Sequence, residues 1–216
     1  MRFHDRLDAA ALLAGALSAW RGSRPLVLAI PRGAVPMGRA IADALHGELD
    51  VVLVHKLGAP MSPEFAVGAV DESGWIYVAP HAGQAGADEA YIERERNAQL
   101  RTLRRRRAAY TPGRAPIPPE GRIVIVVDDG LATGATMIAA LHAVRARGPA
   151  RLICAVPVAA PESLEAVRPL ADELVCLYAP EDFGAVGRFY ERFDQVEDDE
   201  VVRILSQPPQ SGGAAG

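Results

Sequence analysis

The sequence predicts an α/β fold: an open, mostly parallel β-sheet flanked by helices. Three observations carry this. Residues 25–30 (PLVLAI), 122–127 (RIVIVV) and 151–158 (RLICAVPV) are apolar runs without alternation, as strands buried on both faces must be. Segments with helical spacing separate these runs, the alternation that generates parallel sheets. Half of the 216 residues are hydrophobic and 23% are charged, enough apolar material for one sizeable core.

Each element has its own signal. Leu7, Ala10, Ala11, Ala14 and Leu17 recur at helical spacing. After the strand at 25–30 comes PRGAVPMG, then a helix over 35–45 with Pro36 in its first turn, where a missing N–H costs nothing. Residues 50–58 (DVVLVHKLG) read as a second buried strand. FAVGAV and WIYV around DESG read as a hairpin over 65–79. Residues 88–110 suit a long polar helix, and TPGRAPIPPEG (111–121) a connection. The strand at 122–127 leads to a helix over 135–147, closed by Gly148, with Arg145 and Arg147 where cations suit the helix dipole. The strand at 151–158, a short helix from Pro161 and a strand at 173–178 (ELVCLY) follow. QPPQSGGAAG (207–216) has the composition of a disordered tail, leaving a single domain over 1–206. No internal repeat is present.

The bulk numbers narrow the function. A net charge of −4 and a pI near 5.8 do not favour nucleic acid or an anionic membrane as the main partner. Cys154 and Cys176 lie in apolar runs and read as reduced, buried small hydrophobes. His4, His46, His55, His81 and His142 lack metal-ligand spacing. The first residues carry charges and no long apolar core, unlike a signal peptide, and no run approaches the ~20 apolar residues that span a bilayer. A cytoplasmic protein is the expectation.

The chemistry concentrates in VIVVDDGLATGAT (124–136). The buried strand ends in Asp128 and Asp129, at the sheet edge where open parallel sheets bind ligands. Adjacent carboxylates repel, so solvent, a cation or hydroxyl donors must compensate them, and the vicinal diol of a ribose supplies two donors. Gly130, Leu131, Ala132, Thr133, Gly134, Ala135 and Thr136 then lead into a helix N-terminus. Backbone N–H groups, two hydroxyls and the helix dipole make a phosphate site without lysine. No lysine follows Gly134, so this is not a P-loop, and PRGAVPMG lacks the dinucleotide fingerprint. Carboxylates for sugar hydroxyls followed by a phosphate cradle read as a ribose 5-phosphate site. The bland alternative is a helix cap and a turn.

These residues resemble the motif by which type I phosphoribosyltransferases bind phosphoribosyl pyrophosphate (PRPP), and the resemblance extends over roughly residues 25–178. It implies a type I fold with a small hood, here built from the N-terminal helix and residues 181–206. By it, Asp128 and Asp129 hold the ribose hydroxyls and touch Mg²⁺ through PRPP or water, while residues 130–136 bind the 5-phosphate. It gives the loop of Pro31, Arg32 and Gly33 to pyrophosphate, often through a strained peptide bond, and Lys56 as a cation at the end of the second strand. Arg32 and Lys56 would then stabilise the charge developing on the leaving group. The implied reaction transfers ribose 5-phosphate from Mg-bound PRPP to a small nitrogenous acceptor. Phe183, and second to it Tyr190, are candidates to stack on that acceptor, with ordinary packing as the alternative.

Hypoxanthine-type members carry an acid where this chain has Ala132, so no proton-handling residue can be named and a PRPP- or nucleotide-binding regulator stays open as a second reading. A hydrolase of phosphorylated sugars is a third. The resemblance places a mobile flap best at 57–75 and makes a homodimer an analogy. Some relatives contact RNA, but the run from Arg104 to Arg107 reads more simply as a solvated helix face with Glu–Arg pairs.

Overall fold

The computed structural model describes residues 1–208, apart from the side chain at 64. Most of the tail anticipated as disordered therefore lies outside the described residues. Helix α1 (Arg6–Ala16) opens the chain, capped by Asp5, whose carboxylate accepts the N–H groups of Leu7 and Asp8. Strand β1 (Leu26–Ala29), helix α2 (Val35–Leu45) and strand β2 (Glu48–Val51) form the first parallel unit. Strands β3 (Val54–Ala59), β4 (Ser62–Asp71) and β5 (Ile76–Val78) follow, then helix α3 (Glu89–Tyr110). Strand β6 (Ile123–Val127), helix α4 (Ala135–Arg145), strand β7 (Arg151–Val158), helix α5 (Pro161–Val167) and strand β8 (Glu173–Tyr178) restore the alternation, and helix α6 (Asp198–Ser206) closes it.

The main sheet is five-stranded, in the order β2-β1-β6-β7-β8, and every pairing is parallel. Its unbroken apolar runs are explained by burial on both faces. Val27, Ala29, Ile125, Val127, Ile153 and Ala155 point into one core with α1 and α2. Leu28, Val126, Cys154 and Val156 alternate with them and point into the other, against α4 and α5. Cys154 and Cys176 are free, and burial pushes the Cys154 thiol up to about 12, so it behaves as a small hydrophobe. Among the described residues no helix is long and apolar enough to cross a membrane.

The structure corrects two expectations. The strand read at 50–58 is two strands in different sheets: β2 stays in the parallel sheet, and β3 turns into an antiparallel sheet with β4 and β5. Both packing environments accept the same valines and leucines, so the apolar run did not mark the break. The hairpin at the DESG turn is present, but β4 runs back to Ser62 and pairs with β3 as well. The second correction concerns the arginine run. Asp88 caps α3, and its buried stripe runs through Ile92, Leu100, Leu103, Arg107 and Tyr110. Arg104, Arg105 and Arg106 are exposed, whereas Arg107 lies on the stripe and is buried. It binds both oxygens of Glu72, Asp50 and the Val51 carbonyl, so it joins the helix to the point where the chain leaves the parallel sheet.

The two chain ends meet above the sheet. Phe3 bridges Tyr190 in parallel, its N–H donating to the Phe189 carbonyl at 2.8 Å and its carbonyl accepting the Glu191 N–H at 2.9 Å.

Candidate functional site

Strand β6 delivers Asp128 and Asp129 to the C-terminal edge of the parallel sheet, between β1 and β7. Oδ1 of Asp128 accepts the Asp129 N–H at 2.9 Å. Oδ2 of Asp129 accepts from Arg6 Nε at 3.0 Å and lies 2.9 Å from the second guanidinium nitrogen. Among the described residues, Asp128 Oδ2 and Asp129 Oδ1 accept no hydrogen bond, so each aspartate keeps one oxygen available. Burial, and then the Asp129 charge, hold the Asp128 carboxyl well above the ordinary carboxylate range. Burial also raises Asp129, and Arg6 opposes that rise.

The loop after the aspartates is held by backbone bonds. Leu131 bridges Ala159, donating to the Val158 carbonyl at 3.0 Å and accepting the Ala160 N–H at 2.9 Å. Ser163 Oγ donates to the Ala132 carbonyl at 2.7 Å. Gly134 is the N-cap of α4 at φ +71°, a left-handed conformation that suits glycine and turns the chain into the helix. Asp128, Gly130, Thr133, Ala135 and Thr136 line a cleft there. The first-turn amides of α4 have no intrahelical acceptor and open at a helix N-terminus, which suits an anion.

The loop after β1 completes the site. The Pro31–Arg32 peptide is cis. Gly33 lies hard against Asp129: a Cβ at this position would stand 2.2 Å from Oδ2. Gly33→Ala is therefore expected to displace the Asp129 carboxylate and weaken a sugar-phosphate ligand by at least tenfold, with about 1–3 kcal/mol of lost stability from the forced shift. Calorimetric titration and thermal unfolding of this one variant check both numbers. The Arg32 guanidinium pairs with Glu197 at 3.3 Å, 3.9 Å from Asp198. Asp198 also accepts the Tyr110 hydroxyl at 2.6 Å, and burial, then this bond, push the Tyr110 phenol up to about 12.

The other candidates are placed differently. Lys56 is not at the end of a parallel strand. It lies within β3, opposite Ala69 in the antiparallel sheet, because the chain leaves the parallel sheet before reaching it. Phe183 and Tyr190 present no open ring face. Phe183 packs on Phe189 at 5.3 Å and Tyr190 on Phe193 at 4.8 Å. The Tyr190 hydroxyl donates to the Asp129 carbonyl at 2.7 Å, so this ring reaches the site as a brace. Val186 covers Gly130, where a Cβ would meet it at 2.7 Å. Arg6, Tyr110, Glu197 and Asp198 went unread in the sequence. Arg6 is 123 residues from Asp129, and nothing in its local spelling distinguishes it from a helix-start arginine.

An open parallel sheet with an aspartate pair on its C-terminal edge, next to a cleft at a helix N-terminus, defines an α/β protein whose candidate ligand site lies where such sheets bind their ligands. Comparison with known proteins gives the family: the model of the phosphoribosyl transferase domain matches residues 4–193, and the chain belongs to that family. Two curated relatives from Mycobacterium tuberculosis, "Putative phosphoribosyl transferase MT0597" of strain CDC 1551 / Oshkosh and "Putative phosphoribosyl transferase Rv0571c" of strain ATCC 25618 / H37Rv, are each 41% identical over 220 residues. These alignments cover 99% of this chain and 48% of either relative, so the chain spans about half the length of the curated relatives it matches. The solved structure of TT1426 from Thermus thermophilus is 49% identical, with a TM-score of 0.88, over 95% of this chain and 98% of that one.

Proposed function

We propose that this protein is a phosphoribosyltransferase that moves the ribose 5-phosphate of PRPP onto a nitrogenous base or amine and releases pyrophosphate. The observation that carries this reading is the pair of available oxygens, Asp128 Oδ2 and Asp129 Oδ1, beside the cleft at the N-terminus of α4. The two oxygens answer the two hydroxyl donors of a ribose. The amides and threonines of residues 130–136 answer its 5-phosphate. Arg32, on the loop beside Asp129, would turn from Glu197 to the pyrophosphate and offset the charge of the departing group. In this reading Lys56, on β3 of the antiparallel sheet, is the second candidate cation for the pyrophosphate. Phe183 and Tyr190 touch an acceptor only if the hood opens.

The site also suits Mg²⁺ brought in by the substrate. Among the described residues no cluster of three or more His, Cys, Asp or Glu side chains is placed to hold a metal ion, and Arg6 already occupies one carboxylate oxygen. Magnesium commonly uses one or two carboxylates together with substrate phosphates, and Asp128 and Asp129 fit that role directly or through water. The ion would supply charge neutralisation on the pyrophosphate. The chain's own part is to orient the sugar and keep the leaving group in place.

The expected result is a Mg²⁺-dependent rise in the thermal unfolding midpoint on adding PRPP. At 100 times the dissociation constant the ligand contributes about 2.7 kcal/mol. Pyrophosphate release is then followed with a panel of purines, pyrimidines and amines. No shift with PRPP, ribose 5-phosphate or nucleoside monophosphates would remove the reading. A second reading, a PRPP-binding regulator, is favoured by the internal pairing of Arg32 with Glu197 and by Ala132 in place of an acid. It predicts the PRPP shift without pyrophosphate release for any acceptor.

A further inference from the structure

We infer that Arg6 is a positioning residue of the sugar site: it fixes Asp129 so that one oxygen of each aspartate faces the ribose hydroxyls, and it makes both chain ends part of that site. The inference rests on the ribose reading of Asp128 and Asp129. Arg6 lies on α1, outside the strand-and-loop motif, yet it puts two guanidinium nitrogens on a single oxygen of Asp129. Used this way, the guanidinium leaves Oδ1 of the same carboxylate without a partner among the described residues. Asp128 is divided in the same manner, with Oδ1 on the Asp129 N–H and Oδ2 available. Two donors of a vicinal diol thus meet two acceptors, one per aspartate, already held in place by the protein. Such preorganisation saves the ordering cost at binding.

Arg6 is built as a brace. Its side chain is only 12% exposed. The guanidinium carbon lies 3.9 Å from the centroid of the Phe193 ring, and another nitrogen donates to the Asp194 carbonyl at 2.5 Å. A Cβ on Gly33 would come within 3.3 Å of Arg6, so the loop after β1 packs close to the same pair. A guanidinium stacked on a ring and bonded at several nitrogens is pre-organised in a way that a lysine ammonium is not. It also supplies the compensating charge that the adjacent aspartates require. The α1 helix and the segment carrying Phe193 and Asp194 meet at this group, beside the Arg192–Asp5 pair at the start of the helix. Their contact would therefore be read directly by the sugar.

The test compares wild type with Arg6→Ala and Arg6→Lys by calorimetric titration against three probes: PRPP with Mg²⁺, ribose 5-phosphate, and inorganic phosphate. Arg6→Ala is expected to weaken PRPP and ribose 5-phosphate at least tenfold, while inorganic phosphate changes less than twofold. Arg6→Lys should recover part of the loss, because an ammonium can hold Oδ2 through one bond. If Arg6→Ala does not fold, the same contrast between sugar and phosphate is read on Arg6→Lys, at about threefold or more. Equal loss for all three probes would show general loosening and overturn the inference. So would unchanged sugar binding, and so would tighter binding, which would make Arg6 a competitor of the ribose. A wild type that binds PRPP while the variants show no sugar-specific loss sinks the inference and leaves the proposed function standing. A wild type that binds neither sugar probe removes both.

Discussion

The variant carrying Asp128→Asn and Asp129→Asn is expected to bind PRPP about 100-fold or more weakly than wild type, with pyrophosphate release falling at least as far. Each aspartate keeps one oxygen available, and a hydrogen bond to a charged acceptor contributes roughly 1.5–3 kcal/mol, of which a neutral amide retains only part. Tenfold in affinity corresponds to about 1.4 kcal/mol, so losing part of two such bonds reaches that range. The single variants should part company in stability. Burial, and then the Asp129 charge, raise the Asp128 carboxyl on folding. A carboxyl raised in the folded state favours folding at low pH, and the advantage is lost as pH rises through the folded value. Where the group is ionised its charge opposes folding, so Asp128→Asn should be stabilising there while damaging binding. Asp129→Asn leaves the buried Arg6 guanidinium without its counter-charge and should destabilise, toward the low end of the roughly 3–5 kcal/mol seen when a buried pair loses one partner. Thermal unfolding of the two singles, paired with PRPP titrations, checks both signs. A fall in stability for Asp128→Asn comparable to that of Asp129→Asn would contradict the charge assignment.

The second large effect is structural. Arg107→Ala is expected to cost about 3–5 kcal/mol, because it strands the buried Asp50, 1% exposed, and the partly buried Glu72 without their guanidinium. At about 2–4 °C per kcal/mol for a chain of this size, the unfolding midpoint should fall by about 6–20 °C. Arg114 reaches Asp50 at 3.3 Å, and the Ile117 N–H donates to Asp50 at 2.9 Å, so part of the network survives and keeps the loss near the lower figure. The neighbouring exposed Arg105→Ala should change stability by no more than about 0.5 kcal/mol. Similar losses for the two arginines would mean that Arg107 is not the linchpin of this corner. One residue of a four-arginine run thus holds β2, the β4–β5 turn and α3 together, and its neighbours do not.

Some features were legible in the spelling because local physics dictates them. Helix α2 falls where Pro36 and the apolar period put it, and α3 starts at the Asp88 cap. The aspartate pair lies at the end of a strand buried on both faces, followed by a glycine in the left-handed region and a helix N-terminus. Other features were not legible. The split of the run at 50–58 depends on which sheet receives each half, and valine and leucine satisfy either core. Lys56 moved with that split. Arg107 looked like its neighbours until the buried stripe of α3 assigned it a side.

The sequence by itself determined most of the secondary elements, the parallel class of the main sheet and the position of the paired carboxylates, because burial period, caps and turn residues act over a few positions along the chain. Only the tertiary structure decided what those carboxylates meet. Arg6 and Tyr190 come to Asp129 from opposite ends of the chain, and Glu197 comes to Arg32 across 165 residues. Such pairings have no local signature. They follow from the packing that brings the two ends together over the edge of the sheet, where a buried charge must find whichever opposite charge the fold delivers.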